Sequence, residues 1–328
     1  MAVRVNERRV EGFDALEVDN GYLRALVLPG LGGKILSLVD LRTNREWLAR
    51  SDRPLVRRTY AGQYDQYDYS GWDECFPGIG QCFYPEQPWQ GIAVPDHGEL
   101  WTLPWRTEII DGTLRQSVNG VHFPYRFQRR IDFNAGPRLT IDYVVENYAA
   151  YDFKAFWSAH PMLAVTPTSR FRIPEGLRVR VEVSKHQWLG SYLAEHDWPT
   201  TLDDQGNEVD LSLIGTAAQD HVDKLFSTRV SEGWGAIFDE ANEDFFVFTF
   251  RPKDVPFVGV CAIRGRWPTD DDSTLIGLIE PCTGWPDRLD VAIDRGEHAT
   301  IPAGGCLSWQ LVLEVGRGQA RLQEIISI

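Results

Sequence analysis

Cysteine is scarce in this 328-residue sequence, and the cysteines present are not arranged in pairs. They are Cys75, Cys82, Cys261, Cys282 and Cys306, an odd number with no CxxC spacing among them. Such a set argues against a disulfide framework and against a zinc site, because both need cysteines in groups. We therefore expect free thiols, no bound metal and a cytoplasmic location, where thiols stay reduced.

Long apolar segments and an excess of basic charge are also missing. No run of about 18 apolar residues occurs, and residues 1–9 lack the apolar stretch of a signal peptide. The formal net charge is −14, from 47 acidic and 33 basic side chains. A field of that sign repels nucleic acid and anionic lipid. We expect neither nucleic acid nor a membrane as a partner.

Amphipathic helical patterns are rare, whereas strand patterns are frequent. Residues 43–51 and 318–326 favour helices, and both segments are short. Runs with a period near two and many β-branched or aromatic side chains predict strands at residues 23–28, 138–145, 244–250 and 307–315. The 29 glycines and 19 prolines are spread through the chain and give turn signals about every ten to fifteen residues. The sequence predicts an all-β protein, a large antiparallel β-sandwich.

No feature of the sequence marks a domain boundary. The length alone allows two domains, but all-β sandwiches often run beyond about 200 residues as one unit. Because no internal repeat, low-complexity tract or linker-like segment occurs, we expect a single domain over residues 1–328. Its core should extend from about residue 10 to about residue 316.

Residues 59–88 form an unusual segment in which aromatic and acidic side chains alternate. The aromatic residues are Tyr60, Tyr64, Tyr67, Tyr69, Trp72, Phe76, Phe83 and Tyr84, and the acids are Asp65, Asp68, Asp73 and Glu74. We interpret the segment as a long structured loop, whose rings and carboxylates offer a flat apolar face and hydrogen-bond acceptors to a sugar. The alternative is that the rings close one end of the sandwich. The spacing of the acids fits no calcium-binding loop.

Glu280 follows an apolar strand, residues 275–279, and precedes Pro281. The proline is expected to end the strand. A buried carboxylate without a partner is unfavourable, so Glu280 has two interpretations. It lies at the mouth of a cleft, with its pKa raised for proton transfer, or it belongs to a structural hydrogen-bond network.

Two histidines have a comparable context. His97 precedes Gly98, a residue that permits a close backbone approach to a ligand, and in an extended segment it would share a face with Glu99. His160 ends a strand just before Pro161. Strand ends that carry His160 and Glu280 could meet at one cleft. The other histidines are interpreted as surface or structural residues: His122, His186, His196, His221 and His298.

The order and spacing of these segments resemble the galactose mutarotase-like (aldose 1-epimerase) superfamily over about the whole chain. The matching segments are residues 28–35 and 44–48, the His97–Gly98 pair, the strand that ends in His160, and the Glu280 strand with Pro286–Asp287 behind it. The resemblance implies a large antiparallel β-sandwich whose cleft interconverts α and β anomers of a small-molecule sugar. It implies no cofactor, and we expect a monomer or a homodimer.

The resemblance also assigns roles to three residues. Glu280 would be the general base that takes the proton from the anomeric hydroxyl, and His160 the general acid that protonates the ring oxygen. His97 would bind near that oxygen and hold the ring. The chemistry fits, because opening a hemiacetal removes one proton from O1 and delivers one to O5, and carboxylates and imidazoles exchange protons near neutral pH.

The sequence departs from galactose-specific members of the superfamily in one region. Those members carry an arginine about 25 residues before the first histidine, where this chain has Gly71–Trp72–Asp73–Glu74. An acidic and aromatic contact replaces a cationic one, which speaks against galactose itself. The acidic charge also disfavours a sugar phosphate, although Arg57, Arg58 and Lys34 keep that class open.

The predicted substrate contacts come from the same comparison and from neighbouring residues. Asp223 is the candidate for an aspartate that binds sugar hydroxyls, with Asp220 as the alternative register, and Glu99 and Asp73 are further acceptors. The indoles expected to stack on a sugar are Trp72, Trp101 and Trp285, with core packing as the alternative for each. Two other functions stay open: a non-catalytic carbohydrate-binding sandwich, and an isomerase or epimerase that acts at another carbon.

Overall fold

The computed structural model describes residues 3–133 and 136–327, which form mainly β-strands. The first strands in chain order are β1 (Arg4–Val10), β2 (Phe13–Asp19), β3 (Leu23–Leu28), β4 (Lys34–Asp40), β5 (Arg45–Glu46), β6 (Trp72–Cys75), β7 (Cys82–Phe83), β8 (Ala93–Val94), β9 (Arg106–Ile110), β10 (Thr113–Asn119), β11 (Tyr125–Asp132), β12 (Arg138–Asn147), β13 (Phe153–Ala155) and β14 (Ser158–Pro161). The later strands are β15 (Leu163–Ala164), β16 (Ser169–Arg172), β17 (Arg178–Ser184), β18 (Glu195–Asp197), β19 (Thr200–Leu202), β20 (Glu208–Asp210), β21 (His221–Ser227), β22 (Trp234–Asp239), β23 (Asp244–Phe250), β24 (Phe257–Gly265), β25 (Thr274–Cys282), β26 (Ala299–Ile301) and β27 (Cys306–Arg317). The α-helices of the described residues are α1 (Leu289–Arg295) and α2 (Gln319–Ile326).

Two large antiparallel sheets pack face to face. Within the described ranges the main sheet has 13 strands, in the order β1-β2-β3-β4-β6-β14-β25-β24-β21-β17-β18, with β5 joined to β4 and β15 joined to β25. The second sheet has 8 strands in the same ranges, in the order β16-β22-β23-β27-β12-β11-β10-β9. Three short pairs complete the described strands: β13-β26, β19-β20 and β7-β8. The prediction of an all-β antiparallel sandwich is confirmed.

The core between the sheets is rich in aromatic rings. Trp72 of the main sheet contacts Phe248 of the second sheet, with 5.2 Å between ring centroids. Tyr143 and Trp309 stack on neighbouring strands of the second sheet at 5.2 Å. The buried apolar cluster includes residues from Val18 to Val315. The single-domain boundaries stay a prediction.

Most of the predicted elements are confirmed. Strands β3 and β23 have the predicted bounds, and β12 and β27 each contain a predicted run and extend beyond it. Helix α2 matches the predicted C-terminal helix within one residue. Helix α1 was not predicted, because its seven residues give too short an amphipathic pattern.

The predicted helix at residues 43–51 is wrong. This segment turns and forms the short strand β5, which pairs with β4 through Val39 and Glu46. Glu46 accepts hydrogen bonds from the backbone N–H groups of Leu38 and Leu48. These tertiary bonds replace those that a helix would have made.

The predicted long loop at residues 59–88 is wrong in its middle. Strand β6 runs through it and lies near the centre of the main sheet, between β4 and β14. Strand β6 was not predicted because it contains acidic residues, and carboxylates are rare in the buried central strands of a sheet. The proline stop after Glu280 is also wrong, since β25 continues through Pro281 to Cys282. The φ of proline is near that of extended backbone, and the strand loses one donor without ending.

Candidate active site

Strand alternation directs Glu280 to the outer face of the main sheet, away from the second sheet. Its neighbour Ile279 faces inward, because a Cβ built at Gly235 of β22 would lie 3.1 Å from the Ile279 Cδ1 atom. Successive side chains of a strand point to opposite faces. Glu280 and the residues in register with it therefore line the outer face.

His160 lies opposite Glu280 on the neighbouring strand. Strand β14 pairs with β25 through Ser158 and Cys282, and His160 and Glu280 follow in the same antiparallel register. The His160 Nε2 atom is 3.6 Å from Oε1 of Glu280. Glu280 is completely buried, and His160 has 6 % of its surface exposed. The imidazole and the carboxyl group thus form one pair.

The environment shifts the pKa values of this pair in opposite directions. Burial raises the pKa of Glu280, an effect that Lys224 reduces and Asp287 increases. Burial lowers the pKa of His160 well below its usual value, and His97 and Lys224 lower it further. Glu280 is then a stronger base when ionised, and His160 a stronger acid when protonated. Because the groups interact, their protons belong to the pair and not to one residue.

His97 extends the pair into a cluster of rings. Its ring centroid is 4.9 Å from that of His160, with the two planes nearly perpendicular. Tyr64 stacks on His97 at 4.2 Å between centroids. The Oδ1 atom of Asp96 is 2.9 Å from Nδ1 of His97 and orients the ring. The structure therefore brings together the three residues predicted to be catalytic.

The backbone at His97 bends back on the protein. His97 and Gly98 have φ values of 55° and 73°, in the left-handed region. A Cβ at position 98 would lie 2.1 Å from the carbonyl oxygen of Phe76, so only glycine fits there. The prediction that Gly98 approaches a ligand is corrected, because the close approach is to the Phe76 backbone.

A lysine that the sequence analysis missed lies beside Glu280. The Nζ atom of Lys224 on β21 is 3.3 Å from Oε2 and 3.4 Å from Oε1 of Glu280. It is also 2.8 Å from Oδ1 of Asp287. The available signal was a lysine next to Leu225 and Phe226, since a buried ammonium needs acidic partners.

Asp223, the predicted sugar contact, faces the opposite side of β21. Its carboxylate accepts a hydrogen bond from Trp188 Nε1 at 2.8 Å and pairs with Arg264. A shift of one residue exchanges the two faces of a strand. Lys224 therefore occupies the position that the sequence analysis gave to Asp223. The alternative, Asp220, is bound by Lys185 and Arg266.

Glu182 brings another carboxyl group near Lys224 and Asp287. It lies at a β-bulge of β17, between Val181 and Val183. Burial raises the pKa of Glu182 to about 8, and the charge of Asp287 adds to the effect. Its Oε2 atom is buried and makes no hydrogen bond within the part of the chain that the structure describes.

Four buried charges form a second group, which we name the closed cluster: Lys34, Arg58, Asp68 and Asp73. Lys34 Nζ is 3.0 Å from Asp68 and 2.9 Å from Asp73, and Arg58 is 3.2 Å and 3.0 Å from the same two carboxylates. All four side chains have 0 % exposure. Asp73 is thus engaged by two cations, and its predicted sugar contact is corrected. Lys34 and Arg58 are likewise not free to bind a phosphate.

Solved structures share this architecture over nearly the whole chain. A galactose mutarotase-like protein of Clostridium acetobutylicum has a TM-score of 0.67 at 13% identity, with 97% of this chain and 99% of that chain covered. A protein of Escherichia coli K12, provisionally named an aldose 1-epimerase, has a TM-score of 0.66 at 15% identity, with 96% and 100% covered. A galactose mutarotase-related enzyme of Lactobacillus acidophilus has a TM-score of 0.65 at 14% identity, with 92% and 97% covered.

This chain has the galactose mutarotase-like fold. The resemblance predicted from the sequence is confirmed at that level by solved structures alone. Comparison with protein-family models and with curated protein sequences gave no match.

Within this galactose mutarotase-like fold, the three indoles predicted to stack on a sugar are buried. Trp72 and Trp101 have 0 % exposure and Trp285 has 1 %. Trp285 lies between the guanidinium groups of Arg180 and Arg295, at 4.6 Å and 4.8 Å from its ring. An indole without an accessible face cannot stack on a ligand, so all three stacking predictions are corrected in favour of packing.

Glu99, another predicted sugar contact, is also engaged inside the fold. Its carboxylate accepts hydrogen bonds from the hydroxyl of Tyr60 and from the backbone N–H groups of Val121 and His122. Glu99 has 0 % exposure. The prediction that His97 and Glu99 share a face assumed an extended segment. The left-handed backbone at His97 shows that the segment is not extended.

Residues 3–133 and 136–327 contain no helix that is long and apolar enough to cross a membrane. The same ranges contain no group of three or more histidine, cysteine or acidic side chains arranged to hold a metal ion. The expected absence of cofactor and metal, the partners, the oligomeric state and the cellular location stay predictions.

Proposed function

We propose that the protein is an aldose 1-epimerase-like mutarotase, which interconverts the α and β anomers of a monosaccharide. The observation that carries the proposal is the pair of His160 and Glu280, with 3.6 Å between Nε2 and Oε1 on one face of the sheet. A site that only binds sugar has no need for an acid and a base at that separation. The fold, which galactose mutarotase-like proteins share, supports the same reaction class.

The reaction follows from one proton accepted and one donated. The Glu280 carboxylate takes the proton of the O1 hydroxyl while protonated His160 gives its Nε2 proton to O5, and the C1–O5 bond breaks. The products are an open-chain aldehyde, a protonated Glu280 and a neutral His160. Rotation about C1–C2 presents the other face of the carbonyl. Reversal of the proton transfers closes the ring as the other anomer and restores both residues.

The opposite pKa shifts match these roles. A raised pKa makes the Glu280 carboxylate more basic, and a lowered pKa makes the His160 imidazolium more acidic. The pair needs one proton in total, and the reactive arrangement is the one in which His160 holds it and Glu280 is ionised. We assign His97 to the sugar ring oxygen, because its ring lies against His160 and is oriented by Asp96.

The charges of the site favour an uncharged monosaccharide. Lys224 is engaged by Glu280 and Asp287, and Glu182 adds a further carboxyl group near the same lysine. A phosphate or carboxylate on the substrate would meet these acids and no free cation among the contacts described above. Sugar phosphates and uronates should therefore be poorer substrates than neutral pentoses or hexoses.

Anomer exchange measured by NMR tests the proposal. Freshly dissolved pentoses, hexoses, uronic acids and hexose phosphates are followed with and without the protein, and at least one neutral sugar should equilibrate faster with it. Saturable binding of a sugar without faster exchange would make the protein a carbohydrate-binding module. Formation of a different sugar would make it an isomerase or epimerase that acts at another carbon.

A further inference from the structure

Lys224 is a buried ammonium group shared between two carboxylates. It has 7 % of its surface exposed, and its Nζ atom is almost equally distant from the two oxygens of Glu280, at 3.3 Å and 3.4 Å. One cation placed on both oxygens restricts rotation of the carboxyl group. The direction of Glu280 toward His160 is thereby fixed.

Asp287 connects this lysine to the backbone that carries His97. The Nζ atom of Lys224 is 2.8 Å from the Asp287 carboxylate. The carbonyl of Asp287 accepts hydrogen bonds from the N–H groups of Ile79 and Gly80, at 3.0 Å and 2.7 Å. The carbonyl of Ile79 in turn accepts one from the N–H of His97 at 2.6 Å. Asp287, which binds Lys224, is thus connected to His97 by backbone hydrogen bonds through Ile79.

Gly259 leaves room for the carboxyl group of Glu280 on the strand between Lys224 and Glu280. Lys224 is on β21 and Glu280 on β25, and β24 runs between them with Gly259 in register with Glu280. A Cβ at position 259 would lie 3.1 Å from Oε2 of Glu280 and 3.2 Å from the ring of Phe226. Any larger residue would crowd the carboxyl group of Glu280 and the ring of Phe226.

We propose that Lys224, tethered by Asp287, is a positioning residue that keeps Glu280 an aligned carboxylate, ready to take the O1 proton. This role rests on the proposed function. Without Lys224, Glu280 would be a completely buried acid beside Asp287 and a neutral imidazole. Such an acid holds its proton and cannot serve as a base.

The test compares three variants of Lys224 and one matched surface lysine. Lys224→Met and Lys224→Gln remove the charge, and Lys224→Arg keeps it. Lys154→Met is the control, because Lys154 pairs with Glu86 on the surface, away from the site. The pKa of Glu280 is read from its side-chain carbonyl signal in carbon-13 NMR, with Glu280→Gln used to assign the signal. Circular dichroism and thermal unfolding establish which variants are folded.

A nearby opposite charge typically lowers a carboxyl pKa by about 1–3 units, so the uncharged variants should raise the pKa of Glu280 by about that amount. Because one unit changes the ionised fraction about tenfold, kcat/KM at neutral pH should fall about tenfold or more. Lys224→Arg should restore most of both quantities, and Lys154→Met should change neither. An unchanged Glu280 pKa in the folded uncharged variants overturns the proposal, and so does a raised pKa with unchanged kcat/KM.

The two proposals fail separately. If the wild-type protein exchanges the anomers of no sugar, the proposed function fails, because no turnover is left to explain. The NMR titration needs no turnover and still measures whether Lys224 controls the ionisation of Glu280. If the titration shows no control while the wild-type protein is active, only the role of Lys224 is lost.

Discussion

Two groups of buried charges lie on the same face of the main sheet and behave in opposite ways. In the closed cluster, burial alone would raise the pKa of Asp73, but Arg58 and Lys34 more than offset it and hold the pKa below its usual value. In the candidate active site, burial also raises the pKa of Glu280, and there the single cation Lys224 does not restore the usual value. Asp73 and Glu280 are thus equally buried, but Asp73 stays ionised whereas Glu280 accepts a proton more readily.

The number of cations decides the difference. The closed cluster has Lys34 and Arg58 for two carboxylates. The site has Lys224 for three carboxyl groups, on Glu280, Asp287 and Glu182. Where buried cations and carboxylates are equal in number, the ion pairs serve the fold. Where cations are too few, the buried carboxyl groups can take up and release protons. Burial by itself therefore does not identify a catalytic acid.

The largest effect should come from removing the acid or the base. Glu280→Gln keeps the shape of the side chain but accepts no proton, and His160→Asn cannot become a strong acid. Loss of a positioned acid or base costs about 10²–10⁴-fold in rate, so kcat should fall by that factor while KM changes less. Both proteins should fold, since Lys224 in Glu280→Gln still pairs with Asp287. Near-normal anomer exchange by Glu280→Gln would remove Glu280 from the mechanism.

A substitution in the closed cluster should have the opposite effect, a loss of stability with little change in kcat. Asp68→Asn leaves Lys34 and Arg58 with one carboxylate, and breaking a buried ion pair typically costs about 3–5 kcal/mol of unfolding free energy. The folded fraction should keep kcat within about twofold, because Asp68 makes no contact with Glu280 or His160 among the described bonds. Urea unfolding and active-site-normalised rates measure the two quantities. A large loss of kcat with unchanged stability would contradict the distinction between the clusters.

The sequence indicated the proposed acid and base but not the lysine beside them. Glu280 and His160 stood out locally, each beside a proline in an apolar strand. Lys224 was missed because its contact with Glu280 crosses an intervening strand, and the distance between β21 and β25 depends on the order of strands in the sheet. Period-two reasoning cannot supply that order.

The predicted sugar contacts failed for a related reason. Asp73 and Glu99 are acids near aromatic side chains, a composition typical of a sugar site, but each is bound by the protein itself. Trp72 is an indole beside an acid, yet it faces the core because the segment is a central strand. Sequence shows which chemical groups are present, and only the fold shows which of them already have partners.

The rate should have a bell-shaped pH profile that belongs to the pair. Below the lower apparent pKa a second proton binds and no base remains, and above the upper one the last proton leaves and no acid remains. Because the pKa of Glu280 is raised and that of His160 lowered, neither limb should lie at the ordinary value of one residue. The measurement is kcat/KM for the best sugar against pH, corrected for the uncatalysed rate. A single limb over the range in which the protein stays folded would contradict the shared-proton scheme.

The smallest effect concerns stability and Glu182, whose Oε2 atom has no hydrogen-bond partner among the residues that the structure describes. The pKa of Glu182 is raised from 4.5 to about 8, so the folded protein holds a proton that the unfolded chain releases above about pH 4.5. The unfolded state then binds fewer protons than the folded state, and the stability of the wild-type protein falls as pH rises from about 4.5 to about 8. Glu182→Gln cannot ionise and escapes this loss. Its melting temperature should equal that of wild type near pH 4.5 and exceed it by a few degrees at pH 8, while the exposed control Glu208→Gln should show no such divergence. Equal melting temperatures of Glu182→Gln and wild type at both pH values would mean that Glu182 ionises freely in the folded protein, and the charge deficit of the site would then be larger than the comparison with the closed cluster assumes.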